Sequence, residues 1–147
     1  MRFRHPQIWI LIACLLLPAG TLLAKKKPEP QVVGVQHILI AFKGSGSGKK
    51  IDRTKKQAQA LAEELFRRAE DGEDFDALVK EYTNDSYPGK YRMSNRGAPH
   101  MSNVVPRNGM VMFFGDVAFG LEVGEVGLAR HHPAHSPYGW HIIKRLE

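Results

Sequence analysis

Apolar and polar positions change their spacing several times along this chain, and each change marks a different element. Residues 8–17 are almost continuously apolar, and Pro18, Ala19 and Gly20 follow. Val32 to Phe42 is a second apolar run, rich in β-branched residues and too short for a typical helix. It predicts a largely buried, central strand. Gly44-Ser-Gly-Ser-Gly48 ends it and predicts a mobile loop. From Arg53 to Glu70 the period becomes helical: Ala58, Leu61, Ala62, Leu65, Phe66 and Ala69 recur at three- and four-residue steps. Asp52 or Thr54 can cap this helix and Gly72 can end it. Asp74 caps a second helix whose inner face carries Phe75, Leu78, Val79 and Tyr82.

The period is lost between Asn84 and Asn108, where prolines and glycines stand among polar residues. The expectation there is mostly loop, with a short strand around Met101 to Val105. Met110 to Leu121 predicts a short helix bearing Phe113, Phe114, Val117 and Phe119, and residues 122–125 a turn. Val126 to Arg130 and Tyr138 to Leu146 predict two strands, joined as a hairpin across His131 to Pro137. Helices gathered between one early strand and a late pair imply an α+β domain on a small antiparallel sheet of about four strands, flanked by three to four helices.

Composition narrows the picture. At 147 residues and 43% apolar content, the chain supports one core rather than two. Arg2 and Arg4, the apolar run and the small residues up to Ala24 follow the plan of a secretory signal peptide over residues 1–24. A retained membrane anchor is the rival, and the run barely reaches spanning length. Leu11-Ile12-Ala13-Cys14 is also similar to a bacterial lipoprotein box, with lipidation at Cys14. Residues 25–31, Lys-Lys-Lys-Pro-Glu-Pro-Gln, read as a flexible linker, leaving 32–147 as the folded domain. Cys14 is the only cysteine, so cleavage after Ala24 removes thiol and zinc–thiolate chemistry from the mature domain. Residues 1–24 hold two arginines and no acids, so the remainder carries 19 basic and 15 acidic side chains, a net +4. Nucleic acid as principal partner calls for a denser basic face.

Several local strings, in order, resemble the parvulin family of peptidyl-prolyl cis/trans isomerases, within the FKBP-like superfold. They are Val35-Gln36-His37-Ile38-Leu39, Asp71 to Leu78, Glu81-Tyr82-Thr83-Asn84-Asp85-Ser86, Val117 to Val126, and Tyr138-Gly139-Trp140-His141-Ile142-Ile143-Lys144. The resemblance spans about residues 33–147. It departs at Lys90 to Asn103, where the family has a Gly-Gly-Asp-Leu-Gly-like segment and this chain has Tyr91, Met93, His100 and Met101. The loop His131-His132-Pro133-Ala134-His135 is a second departure.

The resemblance implies Met110, Phe114 and Phe119 as walls of a proline pocket, and His37 and His141 as a hydrogen-bonded pair beneath it. It places Asp85 where the family has a cysteine or an aspartate, and Ser136 where it has a hydroxyl bonded to a histidine. Alternation alone does not put the two histidines on one face, and Ser136 can equally be a loop hydroxyl before Pro137. The implied reaction needs no cofactor and no metal. A peptide bond resists rotation by about 18–20 kcal/mol because twisting breaks amide resonance. A site lowers that barrier by gripping the proline ring, removing water and bonding the twisted amide better than the planar one. With aspartate rather than cysteine at position 85, a noncovalent route suffices. Lys43, Lys49 and Lys50 lie where phosphate-directed members carry arginines, which implies at most a mild preference for acidic residues before proline.

The partners implied are proline-containing segments of secreted proteins that are folding in the periplasm or cell envelope, met by a monomer. Two other readings stay open: a weakly active or inactive peptide-binding chaperone module of the envelope, suggested by the altered 90–103 segment, and a metal binder using His131, His132 and His135.

Overall fold

The computed structural model describes residues 28–147. The expected signal segment, Cys14 and Lys25 to Lys27 lie outside the described residues.

Strand β1 (Val32–Ile40) is the spine, and its residues from Val33 onward are all buried. It is followed by α1 (Lys55–Glu70), α2 (Phe75–Tyr82), β2 (Lys90–Ser94), β3 (Val105–Pro106), a 3-10 turn at Arg107–Gly109, α3 (Met112–Gly120), β4 (Val126–Ala129) and β5 (Trp140–Arg145). These make a five-stranded sheet in the order β3-β2-β1-β5-β4. Every pairing is antiparallel except the short β2–β3 contact, which is parallel. The α+β reading and the β4–β5 hairpin hold.

Local chemistry explains the helix limits. Thr54 accepts the Gln57 amide while the Gln57 side chain accepts the Thr54 amide, a reciprocal cap on α1. Asp74 accepts from the Ala77 amide at the start of α2. Beyond α1, Gly72 sits at φ +91°, a conformation that glycine adopts without strain.

The sheet separates two apolar clusters. On one face Ile38, Ile40, Trp140 and Ile142 pack with Ala58, Ala62 and Leu65 of α1 and with Phe75, Leu78 and Val79 of α2. On the other, Val33, Val35 and Ile143 pack with Met93 of β2 and with Phe114, Ala118 and Phe119 of α3.

The structure sharpens three of these expectations. The sheet has five strands where the sequence predicts about four. The fifth is β2, inside a stretch expected to be loop; Lys90 and Arg92 face solvent while Met93 and Ser94 are buried. The short strand expected around Met101 to Val105 is Val105–Pro106. The predicted linker is also not free along its length. Glu29 is 2.6 Å from the Arg107 guanidinium, and the Asn95 side chain donates to the Pro30 carbonyl.

Candidate active site

The antiparallel register of β1 and β5 aligns His37 with Ile143 and Leu39 with His141. The two histidines are therefore diagonal neighbours on one face, close enough for their rings to meet. The rings lie almost parallel, 14° apart, with centroids separated by 5.4 Å. Their Nδ1 atoms are 3.3 Å apart. Phe114 of α3 closes the pair from above, edge-on to both rings at 5.1 and 5.4 Å.

Asp85 reaches this pair because the segment after α2 is stitched to β1. Past Gln36, β1 has lost its β2 partner. Thr83 Oγ1 accepts the Leu39 amide, Asn84 Oδ1 accepts the Ala41 amide, and the Asn84 amide donates to the Leu39 carbonyl. Arg53 donates to the same Asn84 oxygen at 2.7 Å. This segment satisfies backbone groups that the sheet leaves open, and it carries Asp85 over His37. The Asp85 carboxylate meets His37 Nε2 at 3.0 Å. On the far side of Asp85, Gly89 adopts φ +66° and its carbonyl accepts the His37 amide; a Cβ there would stand 2.7 Å from the His37 carbonyl oxygen.

The charges follow from these contacts. The bond from His37 holds the Asp85 carboxyl well below the usual carboxylate range, with a backbone bond from Ser86 and one from Tyr91 helping and partial burial opposing. Burial pushes His141 down to about 3, so it is neutral near pH 7. The ionised carboxylate requires a proton on His37 Nε2. One proton lies between the two Nδ1 atoms, which leaves His141 Nε2 as the remaining ring nitrogen of the pair. That atom is buried and has no partner among the described residues.

Above this chain lies an open cleft of about 610 Å³. His37, His141 and Asp85 form its polar part; Leu39, Tyr91, Met110, Phe114 and Tyr138 supply apolar wall, and Gly46 to Gly48 border it. Lys49 reaches the Asp85 carbonyl at 2.9 Å, which ties the glycine-rich loop to the cleft.

Five of the seven site residues read from the sequence therefore meet: His37, Asp85, His141, Met110 and Phe114. Two do not. Phe119 is buried in the second cluster beneath the Arg107 guanidinium, 4.8 Å from its ring centre, and is absent from the cleft lining. Ser136 is fully buried, and its hydroxyl donates to the Gly139 carbonyl rather than to a histidine. The sequence reading missed Thr83, Asn84 and Tyr91. Thr83 and Asn84 carry no signal beyond adjacency to Asp85, whereas Tyr91 stood in the segment where the resemblance fails.

The histidines of the 131–135 loop are engaged in packing. His131 lies against Trp140 and Phe42. His132 stacks on His135 with centroids 4.6 Å apart, and its Nδ1 accepts the amides of Ala134 and His135. Among the described residues, no group of three or more His, Cys, Asp or Glu side chains is placed to hold a metal ion.

Comparison with known proteins identifies the family and the fold. The profile of the PPIC-type PPIASE domain matches residues 21–147. The foldase protein PrsA of Caldanaerobacter subterraneus subsp. tengcongensis is 37% identical over 118 residues, covering 80% of this chain and 30% of that protein. The chaperone SurA of Pseudomonas fluorescens is 35% identical over 114 residues, covering 78% of this chain and 22% of that protein. The chain thus spans a third or less of the length of these curated relatives. Among solved structures, peptidyl-prolyl isomerase ESS1 from Candida albicans superposes with a TM-score of 0.59 at 23% identity, covering 82% of this chain and 65% of that one. The solution structure of TbPIN1 gives the same TM-score at 20% identity, covering 80% and 98%. At those identities the structural likeness speaks for the fold. The chain belongs to the PPIC-type peptidyl-prolyl isomerase domain family, the parvulins.

Proposed function

We propose that this protein is a peptidyl-prolyl cis/trans isomerase that accelerates rotation about Xaa-Pro bonds without forming a covalent intermediate. The observation that carries this reading is the placement of the Asp85–His37–His141 chain in a cleft walled by Met110 and Phe114.

The chemistry needs little else. A proline ring has no amide hydrogen, so the apolar surfaces of Met110 and Phe114 suit it. Seating it there strips water from the adjoining amide, and water favours the planar, charge-separated form. Twisting the bond returns electron density to the imide nitrogen and leaves a less polar carbonyl. A site whose polar groups are fixed in advance can favour that state over the planar one. The histidine pair and Asp85 are so fixed, each oriented by its neighbour. Isomerisation moves no net proton, so their role is to shape the field at the imide rather than to act as acid or base. No cofactor is needed.

The clients proposed are proline-containing segments of unfolded or folding extracytoplasmic proteins. The names foldase and chaperone on the relatives and the signal-like pattern of residues 1–24 support this reading. Slow proline exchange limits folding on the scale of tens of seconds, so a periplasmic or envelope-bound monomer with this activity is useful there.

The test is exchange NMR on a short Xaa-Pro peptide series with the wild-type chain, Asp85→Ala and His141→Ala. The wild type should raise the cis–trans exchange rate, and each variant should cut that gain by roughly tenfold or more. Peptide binding by the wild type with exchange at the background rate would replace the isomerase with a peptide-binding chaperone module.

A further inference from the structure

Strand β2 sets Tyr91 opposite Val35 of β1. Val35 and His37 share one face of β1, so the Tyr91 ring comes up beside the histidine. It stands edge-on to His37 at 5.3 Å and 82°, and edge-on to Phe114 at 6.2 Å and 86°. Its hydroxyl donates to Asp85 Oδ2 at 3.1 Å, and that same oxygen lies 3.0 Å from His37 Nε2. Two donors, one from β1 and one from β2, therefore converge on one carboxylate oxygen. Tyr91 also lines the cleft.

We propose that Tyr91 is a positioning residue of this site, its hydroxyl locking the Asp85 carboxylate against His37. The functional consequence rests on the isomerase reading above; the contact itself does not.

The case for the hydroxyl is one of geometry. Asp85 stands on a connecting segment, and about a third of its side chain is exposed. The Ser86 backbone donor belongs to that same segment, so without Tyr91 the carboxylate is tied to the sheet through His37. A further donor arriving from a second strand fixes it from another direction. Bonds to an ionised acceptor are the strong ones, and burial together with the Asp85 charge raises the Tyr91 phenol above its ordinary value, so it remains a donor throughout the physiological range. Tyr91 itself packs on the second apolar cluster while its edge meets His37 and Phe114.

Tyr91→Phe removes the hydroxyl and keeps the ring. The test uses the full chain in mild detergent, labelled with 13C at the tyrosine ζ carbon. The Tyr91 resonance is identified by its loss in Y91F. Its ionisation midpoint should lie above the ordinary tyrosine value and fall in Asp85→Asn. In peptide exchange on the same samples, Y91F should lower kcat/KM about 10- to 100-fold with KM changed less than about twofold, the scale expected for one hydrogen bond to a charged group. A Tyr91 midpoint at the ordinary value and unmoved by D85N overturns the proposal, as does Y91F exchange equal to wild type. Wild-type exchange at the background rate would instead sink the isomerase reading, and the Tyr91 titration would then decide the carboxylate lock by itself.

Discussion

His37 and His141 face each other nitrogen to nitrogen, with their Nδ1 atoms 3.3 Å apart and both rings buried. Only one proton can sit between two such atoms, so the pair has a direction. The Asp85 carboxylate holds the outer end of the pair by accepting from His37 Nε2. Protonating His141 would place a charge in an apolar enclosure made by Phe114 and the sheet, and this holds it neutral down to about pH 3.

That neutrality makes stability depend on pH. His141 in the unfolded chain protonates near 6.5 but stays neutral in the fold down to about 3. Below 6.5 the unfolded state therefore binds the extra proton, and stability falls with pH through the window from 6.5 to about 3. The slope is about 1.4 kcal/mol per pH unit once the unfolded histidine is fully charged. Asp85 adds a loss of the same sign lower down: its stabilisation is present above the ordinary aspartate value and fades as pH falls below it. Urea denaturation at pH 7, 5.5 and 4.5 should show this decline. His141→Leu should be less stable at pH 7 yet lose one proton's worth of slope between 6 and 4.5. An unchanged slope would mean that His141 is not the buried neutral group.

Asn84 is predicted to matter for stability and activity together. Its side-chain oxygen accepts both the Ala41 amide and the Arg53 guanidinium. Asn84→Ala leaves a β1 amide without its partner and frees the segment that carries Asp85. The expected cost is about 1–3 kcal/mol, read from the urea midpoint. Peptide exchange should fall by more than the fraction unfolded accounts for. If exchange per folded molecule were intact, the segment would not be what positions Asp85.

Much of this fold was legible because its signals are local. The caps at Thr54 and Asp74 and the apolar stripe from Ala58 to Ala69 name their helices without help from the rest of the chain. The apolar run of β1 likewise marks a strand buried on both faces. Strand β2 could not be read that way. Lys-Tyr-Arg-Met-Ser has little strand character of its own, and its conformation comes from pairing with Val32 to Gln36. Tyr91 was lost with it. The histidine pair was legible as two residues but not as a contact, because the shared face follows from register, and register is a property of two strands. Ser136 and Phe119 misled for the same reason: the sequence gives their type, whereas the Gly139 carbonyl and the Arg107 guanidinium decide what they do.

Arg107 is predicted to be the main polar anchor of the half of the fold that holds Met110. Its buried guanidinium meets Glu29 at 2.6 Å, Asn95 at 3.0 Å and Asp116 at 2.7 Å. It thereby ties the entering chain, the 95–104 loop and α3 to one point. Glu29 and Asp116 are partly exposed, which weakens each ion pair relative to a fully buried one. Arg107→Met should cost about 2–3 kcal/mol, from the bonds lost and the Phe119 stacking removed. Gly115→Ala tests the same node from the other side, because a Cβ there would stand 2.9 Å from Arg107 Cγ. It should also be destabilising, but by little in the Arg107→Met background, where an unbranched, mobile side chain can move aside. Additive costs in the double variant would contradict a shared node.

Gly139 carries the sharpest backbone prediction. It adopts φ +141°, and a Cβ at this position would lie 2.2 Å from the Ile40 carbonyl oxygen. That approach lets β5 begin at Trp140 hard against the end of β1, which sets the register that pairs Leu39 with His141. No rotamer of a neighbour relieves the contact, because the obstacle is backbone. Gly139→Ala must therefore shift one strand end against the other. The expected loss is about 3 kcal/mol or more, combining backbone strain with the steric displacement. The displacement should also be visible at the site, since moving the start of β5 moves His141. In NMR of whatever fraction stays folded, the His37 and His141 ring resonances should shift more than those of Val32 and Ser94 at the opposite end of β1. A tolerated alanine with unmoved histidine resonances would show that the register is set elsewhere in the hairpin.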